Sequence, residues 1–214
     1  MNQHVYQRRP AGNSAIPDVI FILIVANGLV YALQQFLPGL TGSLFALQPL
    51  VAPPGYQFPS FMPWQLVTYG FMHDTRSLMH ILFNMLMLWM FGRELEQLMG
   101  ARRFLTYYMV CVVGAGVVQL LVGILQGGGF PTVGASGGVF GILLAYGMAF
   151  PNRRIMLLFP PIPMKAKYFV VMLGVFELTV GISRVNNGIA NFAHLGGMLF
   201  GFLLIKYWAK KRRY

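Results

Sequence analysis

Apolar residues in this chain gather into six long runs, at 19–37, 78 to about 98, 104–125, 135–150, 168–182 and 189–208. Several approach the roughly 20 residues that a helix needs to cross a bilayer core of about 30 Å. The pattern predicts an all-α, polytopic membrane protein with six spans. The first run follows a polar segment containing Arg8 and Arg9, without a small-residue cleavage site. It therefore reads as a retained span rather than a cleaved signal peptide. Composition agrees: 57% of residues are hydrophobic and only 10% are charged, more apolar surface than a soluble fold of this length covers. The expected organisation is a short tail at 1–18, a membrane domain at 19–208 and a basic tail at 209–214.

A net charge of +11 would suggest nucleic acid in a soluble protein. Six spans put both termini on one side, together with Arg8, Arg9, Arg93, Arg102, Arg103, Arg153, Arg154, Lys165, Lys167, Lys206, Lys210, Lys211, Arg212 and Arg213. Only Arg76 and Arg184 fall opposite. The positive-inside rule makes the crowded side cytoplasmic, so topology accounts for the charge and no nucleic-acid partner is needed. With short tails, a minimal bacterial inner-membrane protein is expected, with the bilayer itself as a partner. Cys111 is the only cysteine. It permits no internal disulfide and no cysteine-based metal site, and it reads as packing.

The longest connection, 38 to about 77, is rich in Pro, Gly and aromatics and too apolar for an ordinary aqueous loop. It is expected to be structured, either in the interface or as irregular backbone against the helices. The segment "PNRRIMLLFPPIPMKAK" reads as a turn with cytoplasmic anchors. No internal repeat is apparent, which removes support for the inverted halves of many transporters.

Polar side chains inside spans need a partner or a task. They are Asn27, His80, Asn84, Gln119, Ser136, Glu177, Asn191 and His194. Ser136 opens the fourth span from the external side, and His194 lies at the same level in the sixth. His80 and Asn84, at i and i+4 near the external end of the second, share a helical face. A serine becomes a nucleophile when a base takes its proton, and imidazole suits that near neutral pH. Ser136 and His194 fit these roles. Acyl transfer also needs donors for the developing oxyanion, and the Ser136 backbone N–H, His80 and Asn84 can supply them. Asp18, Glu94 and Glu96 are at the wrong level to orient the histidine, so a Ser–His dyad is the simpler arrangement. Gly134, Gly137, Gly138 and Gly141 allow close approach of a backbone or a substrate, and Phe140 could stack on an imidazole. Gly197 and Gly201 form a G-x-x-x-G step that favours tight packing, with the glycine-rich fourth span the obvious neighbour.

Other readings stand beside these. Serine in a small-residue patch commonly just packs, and membrane histidines serve as interhelical hydrogen bonders, proton relays or cofactor ligands. His80 and His194 could ligate a metal or haem, but no carboxylate or cysteine is expected at their level, so neither metal nor cofactor is expected. Asn27 and Gln119 read as interhelical hydrogen bonders and Asn191 as a helix-start or loop contact. Glu177 stays open between gating, proton handling and simple pairing.

"HILFN" in the second span, "GASGGVFG" opening the fourth and "AHLGGMLFG" in the sixth resemble the signature of the rhomboid family of intramembrane serine proteases. "GRELE" and "FPNRR" are similar to structural segments of that family. The resemblance implies a six-helix bundle with Ser136 as nucleophile, His194 as general base and no catalytic acid. His80, Asn84 and the Ser136 N–H would form the oxyanion site. It further implies a first loop partly in the membrane, a lateral gate formed by the fifth helix with the 182–189 cap, and transmembrane proteins as substrates. Phe140 stands where the family often has tyrosine, and Gln65 where many members have arginine after Trp64. The expected function is a serine endopeptidase, a hydrolase of intramembrane proteolysis. A non-catalytic membrane chaperone of the same fold and a small proton-coupled transporter are the alternatives.

Overall fold

The computed structural model describes residues 19–156, 162–183 and 190–211. Arg8, Arg9, Arg184, Arg212, Arg213, the 1–18 tail, the last residues of the basic tail and most of the 182–189 cap lie outside them. Among the described residues, each of the six apolar runs falls mainly on helical backbone. The first is α1 (Val19–Phe36), the third α6 (Ala101–Leu125), the fourth α7 (Ser136–Ala149), the fifth α8 (Ala166–Ile182) and the sixth α9 (Asn191–Lys211). Of these, α1, α6 and α9 are long and apolar enough to cross a membrane as single α-helices.

The second run departs from one regular helix. It is α4 (Leu78–Met87), a π-helical segment (Leu88–Gly92) and α5 (Arg93–Met99) in succession. The wider π turn falls where Gly92 packs against Ile20 of α1 and Phe104 of α6, and such turns typically appear as single inserts in α-helices. Gly100, at φ +82°, then breaks the helix so that α6 starts at once.

The exterior is apolar and the interior holds the polar groups. Phe36 is 81% and Leu125 85% exposed, whereas Asn27, Gln65, His73, Glu177, Asn191 and His194 are all buried. Water would reverse that distribution; hydrocarbon favours it. At the centre, α6 buries Phe104, Tyr107, Tyr108 and Cys111 completely and packs against α7 and α9. Small residues set the spacing: a Cβ on Gly138 would meet Tyr108, and one on Gly141 would overlap the sulfur of Cys111. Tyr107 Oη donates to the Gly141 carbonyl at 2.7 Å, tying α6 to α7. Asn27 departs from the interhelical expectation, since its amide donates to Leu23 O of its own helix at 2.7 Å.

The first connection is irregular backbone carrying two short helices, α2 (Pro38–Phe45) and α3 (Gln65–Thr68), with a 3-10 turn at Tyr69–Phe71. Gln65, fully buried, holds it together. Its Oε1 accepts from the Gln48 and Met62 N–H groups, and its Nε2 donates to Ser43 O and Leu44 O. Trp64 Nε1 adds a bond to Leu44 O at 2.9 Å. Glutamine, carrying both donors and acceptors, thus anchors the loop without a charge. Leu47 pairs with Thr132 in both directions at 3.0 Å, so the loop lies beside the segment leading into α7. Between α7 and α8 the expected turn includes a short antiparallel pair, β1 (Arg154–Met156) with β2 (Pro163–Lys165), Ile155 opposite Met164. Proline is tolerated there as a strand-starting residue.

The opposite end of the bundle is fastened by acids from "GRELE". Glu94 pairs with Arg153, joining α5 to the segment after α7. Glu96 accepts from the Val19 and Ile20 N–H groups at 2.7 and 3.1 Å, satisfying donors at the start of α1. Because both carboxylate oxygens are used and the residue is buried, Glu96→Gln removes an acceptor and the charge that favours a helix N-terminus. A loss of about 1–2 kcal/mol is expected, read as a lower thermal midpoint in detergent.

Candidate active site

Ser136 is the first residue of α7, and the chain reaches it through Gly134 at φ +135°. That conformation and the crowding there both select glycine: a Cβ would lie 3.1 Å from His80 Nε2 and 3.4 Å from Ser136 Oγ. Gly134 N–H is fixed to Tyr69 O at 3.0 Å, and Tyr69 Oη donates to Val112 O at 2.7 Å. The turn before the serine is therefore held by the first connection and by α6.

His194, just inside α9, places Nε2 2.8 Å from Ser136 Oγ. Phe140, one turn along α7 from Ser136, stacks on its ring at 4.2 Å between centroids and 7° from parallel. Gly197 brings α9 against α7, where a Cβ would overlap the Gly137 carbonyl oxygen. Gly201 differs: its face meets Tyr107 and Cys111 of α6, so the G-x-x-x-G step spans two neighbours rather than α7 alone.

His80 Nδ1 accepts from the Asp74 N–H at 3.1 Å. That bond assigns the ring proton to Nε2, the nitrogen nearest Gly134. Asn84 is buried and donates one amide hydrogen to His80 O at 2.8 Å, leaving its second hydrogen available. Ser136, His194, His80, Asn84, Phe83 and Phe140 line a common cavity of about 1610 Å³. Gln119, expected between helices, also faces this cavity.

Two features go beyond what the sequence reading assigned. One is a clamp between α1 and the end of the first connection, just after the 3-10 turn. Gln34 Nε2 donates to His73 O at 2.8 Å, and Gln34 Oε1 accepts from His73 N–H at 2.9 Å. A glutamine near the end of an apolar run was the available signal. The His73 ring is buried, 5.2 Å from that of His80, and neither of its nitrogens has a hydrogen-bond partner among the described residues. Burial, with His80 adding to it, pushes its pKa down to about 4. The unfolded chain therefore binds a proton there near pH 6.5 that the folded one refuses until about pH 4. Stability present above pH 6.5 falls by about 2 kcal/mol on acidification to pH 4.5. Thermal midpoints across that range check it, and His73→Gln should flatten the dependence. Asp74 lies outside the clamp and bonds Arg76 through its side chain at 3.1 Å, which holds its carboxyl below the usual range.

The other feature is Glu177. Expected to have no carboxylate at its level, His194 instead has Glu177 Oε1 3.1 Å from Nδ1. Glu177 Oε2 accepts from Asn191 Nδ2 at 2.6 Å. Asn191 is thus the start of α9 and a side-chain partner at once.

Comparison with known proteins follows the same lines. A family model described as Rhomboid domain matches residues 60–211. The mitochondrial Rhomboid protein 1 of Saccharomyces cerevisiae is 27% identical over 212 residues, covering 91% of this chain and 57% of that protein. The putative rhomboid protease YdcA of Bacillus subtilis is 29% identical over 154 residues, 71% of each. The rhomboid protease GlpG of Yersinia pestis (strain Pestoides F) is 33% identical over 149 residues, 68% of this chain and 48% of that one. The chain thus spans about half the length of the yeast and Yersinia relatives. The domain match covers α3 to α9 and includes every residue of the cavity's Ser–His–Asn set; with its apolar exterior, the chain is an integral membrane protein that belongs to the rhomboid family.

Proposed function

We propose that this protein is an intramembrane serine endopeptidase that cleaves transmembrane segments of other membrane proteins, with Ser136 as nucleophile and His194 as general base. The observation that carries the reading is the 2.8 Å Oγ to Nε2 contact at the start of α7, beside a cavity large enough for an extended peptide. Relatives named as rhomboid proteases support it.

In this mechanism His194 Nε2 takes the Ser136 proton as Oγ attacks the scissile carbonyl. The oxyanion that forms is met by the Ser136 N–H, which the helix leaves unused, by His80 Nε2–H and by the second hydrogen of Asn84. His194 then gives its proton to the leaving amine, and water entering from the cavity hydrolyses the acyl-enzyme. A transmembrane helix satisfies its own backbone, so substrate must unwind before a carbonyl reaches Ser136. Segments with helix-weakening residues and small side chains at the cut suit that requirement. Six spans, cytoplasmic termini and a bacterial inner membrane complete the proposed topology, which sets Ser136 near the external face. The transporter reading is weakened because Glu177 is engaged by Asn191 and His194.

The test is purified protein in detergent with a type I membrane substrate, compared with Ser136→Ala and His194→Ala, alongside labelling by a fluorophosphonate. Cleavage that persists in both variants would refute the assignment. Absence of both cleavage and labelling in wild type would favour a non-catalytic binder.

A further inference from the structure

Two carboxylates are buried among the described residues. Glu96 serves the start of α1, whereas Glu177, on α8 next to the cavity, has no task in the mechanism above. A carboxylate at membrane depth is costly unless paired, and its surroundings indicate what it is for. Its Oε1 is 3.1 Å from His194 Nδ1, and its Oε2 accepts from Asn191 at 2.6 Å. Asn191 and His194 are three residues apart on one face of α9, so one helix carries both the imidazole and the amide that sets the carboxylate.

Phe140 stacks nearly parallel on His194 and so fixes the plane of the ring. Stacking cannot choose between the two orientations within that plane. A half-turn about Cβ–Cγ keeps the plane and exchanges Nδ1 with Cδ2 and Nε2 with Cε1. In the exchanged orientation a carbon faces Ser136. A carboxylate beside Nδ1 removes the ambiguity, because it attracts an N–H and not a C–H. It also selects the tautomer: with the proton on Nδ1, Nε2 keeps the lone pair that Ser136 needs. The Nδ1 contact is close but off the line of an aligned hydrogen bond. Its attraction is therefore mainly electrostatic and strengthens when the ring becomes imidazolium in the tetrahedral intermediate.

Resting on the serine-protease reading, we infer that Glu177 is a positioning residue for His194, itself oriented by Asn191, in a family where the resemblance implies a dyad without an acid. Phe140 fixes the ring plane and Glu177 fixes which nitrogen faces the nucleophile.

The experiment uses the full chain in detergent with a quenched transmembrane-peptide substrate. Glu177→Gln is expected to lower kcat by at least about tenfold, short of the roughly 10⁴-fold effect of an aligned buried carboxylate. KM should stay within about twofold, fluorophosphonate labelling should slow in parallel, and the thermal midpoint should hold. Glu177→Asp, keeping the charge, should recover part of kcat. If Glu177→Gln retains kcat within about twofold, the inference falls. It falls too if Gln and Asp lose activity equally and only as their thermal midpoints drop, because that is a structural role. Should Glu177→Gln not fold, Asn191→Ala decides: lower kcat at unchanged KM supports the inference, and unchanged kcat overturns it. Ser136→Ala separates the two levels, since cleavage surviving there removes the protease reading itself, whereas its loss beside an active Glu177→Gln removes only the role of Glu177.

Discussion

Ser136→Ala is expected to reduce cleavage by at least about 10⁴-fold, with KM little changed and fluorophosphonate labelling abolished. The size follows from what the hydroxyl does. Without Oγ no acyl-enzyme forms, and only water positioned in the cavity near the oxyanion donors remains as nucleophile. His194→Ala should produce a loss of similar order, because Oγ then has no acceptor at 2.8 Å to take its proton. The double variant should be scarcely worse than either single one, since residues that act as a unit are not additive. That non-additivity separates a coupled pair from two residues that merely line the same cavity. The measurement is initial rate against substrate concentration for the four proteins at equal folded fraction. Additive losses in the double variant would mean that the 2.8 Å contact is structural.

The positions of the helices were legible in the sequence because hydrocarbon demands continuous apolar segments, and among the described residues each of the six runs falls mainly on helical backbone. Ser136, His194, His80 and Asn84 share a cavity for a reason depth counting can reach: each lies near the same end of its run. The same count applied to Glu177, five residues before the end of the run at 168–182, would have set it level with His194. The expectation of no carboxylate beside His194 thus fails on depth, which the sequence carries, and only the azimuth that turns Glu177 to the imidazole needs the fold. The π segment at Leu88–Gly92 carries no sequence mark beyond Gly92, which sits close against Ile20 and Phe104. Gly201 was matched to α7 on composition, but helix rotation turns it towards Tyr107. In the first connection, the side-chain bonds of Gln65 and Gln34 create order that no periodicity announces.

Gly197→Ala is expected to destabilise the bundle by about 3 kcal/mol and to lower cleavage by about 10²-fold in the molecules that remain folded. Most Gly→Ala changes within helices are favourable by up to about 1 kcal/mol, because alanine has less backbone freedom to lose. Gly174, on α8, provides that baseline: its nearest neighbour is the flexible end of Met198 at 3.6 Å, so Gly174→Ala should be neutral or stabilising. At Gly197 the obstacle is the backbone carbonyl of Gly137, which no rotamer change can move aside. The helices α7 and α9 must separate, and Gly137 is the residue after Ser136 while Gly197 is one turn from His194. A displacement of about 1 Å there opens the Oγ to Nε2 contact and loosens the nucleophile from its base. The same methyl group thus acts on stability and chemistry together. Thermal midpoints and kcat of both variants in detergent check the claim, and equal behaviour of Gly197→Ala and Gly174→Ala would show that α7 and α9 are not in backbone contact.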